Sequence, residues 1–473
     1  MKKRLICAML LVVFALTFVL VACNNNNDDG IITTGELKKD ENGNVIFEEV
    51  ELKLTSVVTG IDRFVLNQLV ARFNAEYRDK INVTVSNIDE STFEDTVSKQ
   101  ITNNYGAPDI IMSHQKSHMS FMKTKLTQPF DEAMERSGIT IDLGDYSTGL
   151  AQYAKLGTDK LYGVPVDGQS MAVIYNKKLL AQYNDGKVPT TRAELIEVCK
   201  KAKVGGVDTP IAWMTENQFY TSYLFPTAVI QNGGHLYGSN LYADWYNDAS
   251  NRTAIKNAIS SLRDMIQVEG IAKHAMNESE AIDSFYNGES LFLFYIPWKL
   301  SDLVSNYCKG RDLTEEEVRA DYFGGMSIAG LFALDESNAN ANKIFGDSHF
   351  FAMSRTVTDI TKKAAICEFV KWFTQNTSVG AKWGEAGHFS ACVGVNTSEE
   401  YNANEIVANY IKNFYPDINN FVCIGNTPYY SAISQNLTAM WVSAVAKTGN
   451  SQDDAIIKKS QDDANAIIDF VNA

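Results

Sequence analysis

Apolar and polar positions alternate in EEVELKLTSVVTG, where Val50, Leu52 and Leu54 share one face, so a strand is expected to open the folded chain. The next run, IDRFVLNQLVARFNAEY, repeats at helical spacing through Ile61, Phe64, Val65, Leu69, Phe73 and Tyr77. INVTVSNI alternates again, a helix is predicted near residues 91–104, and APDIIMSH reads as a short apolar strand ending in polar residues. This β-α-β-α-β rhythm implies a parallel sheet with helices on its faces. Strands buried on both sides read as continuous apolar runs, as PDIIM does.

LYGVPVDGQSMAVIYNKKLLAQY gives a strand-like stretch, a second strand and a helix start. In VPTTRAEL, Thr191 can cap a helix while Glu194, three residues on, reaches back to the cap. Residues 211–320 are rich in helical patterns and aromatics, whereas GGMSIAGLFAL and SHFFAMS have strand character. ITKKAAICEFVKWFTQ is helical again, and a last helix is predicted from Ser451, with Asp454 as its capping partner, to the C-terminus. Gly233-Gly234 suits a turn. No repeat with a period of 20 to 50 residues is visible.

Ahead of this pattern, Lys2, Lys3 and Arg4 precede residues 5–22, which carry no charge. Such a segment is a targeting signal rather than part of the fold, though a plain membrane anchor has a similar length. Leu20, Val21 and Ala22 stand directly before Cys23, and this resembles the lipobox of bacterial lipoproteins. The resemblance implies a lipid on Cys23 after removal of residues 1–22. Asn and Asp follow at once and bury little apolar area, so residues 23–48 read as a flexible tether.

At 473 residues the chain is too long for one core, and two lobes are expected. Without residues 1–22 the net charge moves from −15 to about −18, which argues against nucleic acid and anionic headgroups. After Cys23 come Cys199, Cys308, Cys367, Cys392 and Cys423, odd in number and without a CxxC pair. They read as buried small side chains rather than a disulfide or zinc framework.

Six stretches in order, APDIIMSH, YGVPVDGQSMAVIYNKKLL, PTTRAEL, AIDSFYNGESLFLFYIPW, FAMSRTVTDITKKAAICEFVKWFTQ and WGEAGHFSACVGV, resemble the extracellular solute-binding proteins of ABC importers. The resemblance is to the carbohydrate-binding group that includes maltose-binding protein. Arg192 stands where that group often has tryptophan, and Phe389-Ser390 where its usual proline follows GH. The resemblance implies an α/β, periplasmic-binding-protein-like fold of two discontinuous lobes joined by crossover hinge strands. These comprise residues 49–165 plus 326–380 and residues 166–325 plus 381–473, with YGVPV the first crossing and GGMSIAG the second. It also implies a monomeric, lipid-anchored receptor on the extracellular face of the membrane, periplasmic in a Gram-negative cell. Such a receptor delivers a carbohydrate, an oligosaccharide, to permease subunits and needs no cofactor.

Sugars present many hydroxyls and apolar C–H faces, so their site needs flat aromatic rings and groups that donate and accept hydrogen bonds. Polar candidates just past predicted strand ends are Thr59, Ser113, His114, Gln115, Asp167 and Gln169. Among many aromatics, Trp298 ends the apolar run LFLFYIPW, where the family often places a cleft aromatic, and Trp213 and Tyr220 follow it. Another small solute such as a glycerol phosphate is the alternative ligand, though no basic cluster is obvious. A secreted glycan-acting enzyme needs paired carboxylates, but GxSxG, HExxH and GxxxxGK[ST] are absent. His114 and His118 in HQKSH, four apart, would share a helix face as metal ligands can; a loop is expected there, and no metal site is assigned.

Overall fold

The computed structural model describes residues 30–425 and 427–472; the signal and Cys23 lie outside the described residues. Two mixed sheets organise the chain. The larger runs β2 (Ile81–Asn87), β1 (Val50–Ser56), β3 (Ile110–His114), β12 (His349–Ser354), β4 (Thr127–Gln128), with β5 (Val164–Pro165) also on β12. β1 pairs in parallel with both β2 and β3, through helices Asp62–Glu76 and Glu90–Thr102 as the pattern predicts. β12 enters antiparallel to β3 and is buried at every position, as HFFAMS suggests. The smaller sheet runs β10 (Phe323–Met326), β7 (Ala172–Asn176), β9 (Phe292–Tyr295), β8 (Ile211–Ala212).

Two short pairs stand where the chain passes between these sheets. β6 (Asp167–Gly168) pairs with β13 (Phe389–Ser390) between β5 and β7, and β11 (Ile344–Phe345) pairs with β14 (Phe421–Val422) between β10 and β12. The helix Thr377–Gly384 packs on Asp62–Glu76 and Ile360–Gln375, beside the larger sheet. The helix Tyr430–Val445 packs on Gln218–Gln231, where Trp441 Nε1 donates to the Thr215 carbonyl at 2.8 Å.

Several expectations need correction. In the first helix the buried stripe is Leu66, Leu69, Val70 and Phe73, while Phe64 is 58% exposed beneath the Arg63 guanidinium. Only Phe323–Met326 of the GGMSIAGLFAL region is a strand. Its continuation is a buried loop whose backbone is bonded by side chains: Gln231 donates to the Ile328 carbonyl and accepts from Phe332 N. Residues 115–123 form a helix rather than a loop. Thr191 caps its helix as expected, but Glu194 bonds Thr190 N and Oγ1. Arg192 donates to the Ser261 carbonyl. The last helix starts at Asp453, and Asp454 pairs with Lys256 instead of capping. Part of the expected tether is docked, since Thr34 exchanges backbone bonds with Thr358 and Ile360. The five described cysteines are all free.

Candidate functional site

β1 and β3 end side by side, at Ser56 and His114, because they are parallel neighbours in register. The chain leaves β1 through Val57–Gly60 into the helix at Asp62, and leaves β3 straight into the helix at Gln115. A cavity of about 280 Å³ sits at these carboxyl ends, where open parallel sheets bind ligands. Thr59, Asp62, Glu90 and His114 form one wall, and Phe219, Tyr223, Trp298 and Asp302 face them. Gln169 and His349, from the segments that pass between the sheets, complete the lining. A second chamber of about 1000 Å³ shares Val57 and Glu90 with the first and is walled by Lys116, Tyr430 and Gln435. A separate apolar cavity of about 440 Å³, beside Pro189 and Met326, shares no residue with either.

Three histidines and their carboxylates stand between the first chamber and the core. Asp167 is fully buried and its carboxylate accepts from His349 N (2.9 Å), His349 Nδ1 (2.8 Å) and Trp383 Nε1 (2.7 Å). Burial works to raise its pKa, but His349, His388 and these donors outweigh it and hold the carboxyl at about 2. His114 Nδ1 lies 3.1 Å from Asp347, and its Nε2 lies 4.0 Å from Glu90. Burial alone would lower the pKa of His114; Asp347 and Glu90 keep it above its ordinary value. Lys116 forms a close ion pair with Glu90.

His388 is buried 3.5 Å from Asp62 and 3.8 Å from Asp167. Its ring stacks on Trp383 at 5.0 Å and lies parallel to Trp298 at 6.3 Å. Asp62 and Glu90 are both held below the usual carboxylate range: burial opposes this, while His388 offsets it for Asp62 and His114 with Lys116 for Glu90.

Of the residues singled out from sequence, Thr59, His114, Gln169 and Trp298 line the chamber. Ser113, Gln115 and Asp167 stand behind it, each fully buried; Gln115 Nε2 donates to the Gly425 carbonyl at 3.0 Å. Trp213 and Tyr220 belong to the core and are corrected accordingly. Trp213 stacks on Trp441 at 5.8 Å, and Tyr220 on Tyr295 at 6.0 Å. The helix Gln218–Gln231 turns Tyr220 and Leu224 inward and leaves Phe219 and Tyr223, one turn apart, on the cavity side. Of the FYTSY run the sequence singled out Tyr220, whereas Phe219 and Tyr223 line the chamber. Sequence reasoning also missed Asp62, Glu90, Asp302 and His349, which carry no local motif.

Two groups among the described residues have ligand atoms close enough for a metal ion, Asp167–His349–His388 and His235–Asp244–Asp248. In the first, the carboxylate already accepts three N–H groups. HQKSH contributes to neither. His118 points instead into the core, stacked on Phe350 at 5.2 Å.

A family described as bacterial extracellular solute-binding protein matches residues 65–312. The sn-glycerol-3-phosphate-binding periplasmic protein of Brucella abortus is 22% identical over 275 residues, 56% of this chain. The chain spans 61% of that relative's length. Among solved structures, the sugar-binding protein MalE of Xanthomonas citri is similar with a TM-score of 0.71 at 17% identity, covering 89% of this chain and 99% of its own. The cyclic alpha-maltosyl-1,6-maltose binding protein of Arthrobacter globiformis gives 0.67 at 18%, covering 88% and 98%. At these identities the likeness establishes the fold, that of periplasmic binding proteins.

Proposed function

The chain belongs to the bacterial extracellular solute-binding proteins, and on that premise we propose that it is a non-enzymatic receptor capturing an oligosaccharide for an ABC importer. The observation that carries the reading is the chamber at the ends of β1 and β3, where three aromatic rings face His114, Gln169 and His349. Flat rings take the C–H faces of a sugar, and the polar groups take its hydroxyls. Thr59, His114, Gln169 and Trp298 are the proposed contacts, joined by Phe219, Tyr223 and His349. Ser113, Gln115 and Asp167 hold the wall from behind.

The proposed lobes are residues 49–165 plus 326–384 and residues 166–325 plus 385–473. The boundary expected at 380 is moved past Gly384 because the helix Thr377–Gly384 packs beside the larger sheet. The lobes close by bending at residues 164–172 and 326–349. Permease subunits are the proposed partners, the protein is a monomer, and a lipid on Cys23 keeps it at the extracellular face. The carbohydrate-binding proteins among the structural neighbours support the ligand class, and the curated relative supports glycerol 3-phosphate as the competing ligand.

Thermal unfolding with a panel of oligosaccharides and with glycerol 3-phosphate decides between them. A ligand at about 100 times its Kd adds about 2.7 kcal/mol, which raises the Tm by several degrees. A shift with an oligosaccharide and none with glycerol 3-phosphate is expected. No shift with any glycan overturns the reading.

A further inference from the structure

We infer that the glycan taken by this cleft carries a protonated amine, so that the cleft selects amino sugars over neutral or phosphorylated ones. The inference rests on the carbohydrate reading above and specifies its ligand.

The first observation is charge. Asp62, Glu90 and Asp302 line the chamber, and Asp167 and Asp347 stand directly behind it. Two lysines also line the chambers, and each is paired there: Lys299 with Glu278 at 3.0 Å, and Lys116 with Glu90. Counting Glu278, six carboxylates meet two lysines and three histidines, so an acidic excess remains even with every ring protonated. The adjoining chamber adds Asp89, Glu94 and Asp95. A cleft whose lining carries an excess of one sign of charge focuses its field on the ligand and raises the local concentration of counter-ions. No arginine lines either chamber, and the bidentate fork that binds phosphate is therefore missing from both linings.

The second observation is the place an amine could occupy. The carboxylate of Asp302, in the first turn of the helix Leu300–Cys308, has no hydrogen bond or ion pair among the described residues. It lines the chamber with Phe219, Tyr223 and Trp298, whose centroids lie 5.8 to 6.3 Å apart at steep mutual angles. Ring faces beside a carboxylate attract an ammonium by both quadrupole and charge.

The third is a buried polar group turned to the chamber. His349 is 2% exposed and lines it, and its Nδ1 is bound to Asp167. Nε2 is left for the ligand, a second polar contact beside the Asp302 carboxylate.

Calorimetric titration of the protein with matched glycans tests this. The probes are glucosamine and galactosamine oligomers with free amines, their N-acetylated forms, the corresponding neutral oligosaccharides, and sn-glycerol 3-phosphate. At least one free-amine oligomer is expected to bind tenfold or more tightly than its acetylated and neutral counterparts. Added salt should shrink that ratio, and Asp302→Asn should shrink it to less than threefold. Equal or tighter binding of neutral or acetylated forms overturns the amine inference and leaves the carbohydrate receptor standing. Tighter binding of glycerol 3-phosphate overturns the inference, and binding of no glycan at all overturns both readings.

Discussion

His118 shows how one side chain ties packing to pH. It sits at 0% exposure against Phe350 with neither ring nitrogen hydrogen-bonded, and burial pushes its pKa down to about 3. The folded pKa is thus below the ordinary 6.5, and the unfolded chain takes the proton first. Stability from the neutral ring is present above pH 6.5 and is lost as pH falls from there toward 3. Replacing His118 with Leu should flatten that loss, by about 2–4 kcal/mol between pH 7 and pH 4, in urea unfolding at each pH. Trp298→Ala tests the cavity side: a loss of tenfold or more in glycan affinity is expected, with the ligand-free Tm nearly unchanged because Trp298 is only partly buried. Trp298, singled out from sequence because it closes an apolar run, lines the chamber. Trp213 and Tyr220 were misread because an aromatic at helical spacing looks the same whether its neighbours are core or solvent. Only the packing of Trp441 and Tyr295 on them decides.

Elements were legible where the hydrophobic period was strong and their ends depended on local bonds. β1, the Asp62–Glu76 helix and β3 fall where the pattern puts them, since alternation and helical spacing are properties of the chain itself. The C-terminal helix begins two residues after the expected Ser451 because Asp453 is held elsewhere. Its carboxylate forms a buried, two-bonded pair with Arg263 at 2.7 and 2.9 Å, joining this helix to Ala249–Gln267. Arg263→Ala leaves that charge alone in the core and should cost about 3–5 kcal/mol in urea unfolding. The region after β10 reads as strand from its apolar residues, yet Gly330 takes a φ of +77° and side chains of the Gln218–Gln231 helix occupy the backbone groups a ladder needs.

At the scale of the whole molecule, the turn after the helix Thr377–Gly384 passes close against the backbone that follows β9. Gly387 has a φ of +97°, and a β-carbon on it would come within 2.5 Å of the Trp298 backbone nitrogen. This approach brings His388 beside Trp298 and, on its other neighbours, within reach of Asp62 and Asp167. Gly387→Ala should hold these segments apart. Glycan affinity in calorimetric titration is expected to fall tenfold or more, because His388 and Trp298 lose their placement at the chamber. Wild-type affinity in that variant would mean that the close approach plays no part in binding.

Periodicity, charge and motif order were enough to establish an α/β chain of two lobes and the family it resembles, because these depend on each residue and its near neighbours. The expected signal and the lipid proposed on Cys23 are likewise read from local sequence alone. The cleft is different. Asp62, Glu90, Asp302, His349 and His388 are spread over more than 300 residues, and they converge only when parallel strands end together and two crossings return the chain. The ionisation of Asp167 is a tertiary property for the same reason: it stays charged in the dry interior because His349 and His388, about 180 and 220 positions away, outweigh its burial.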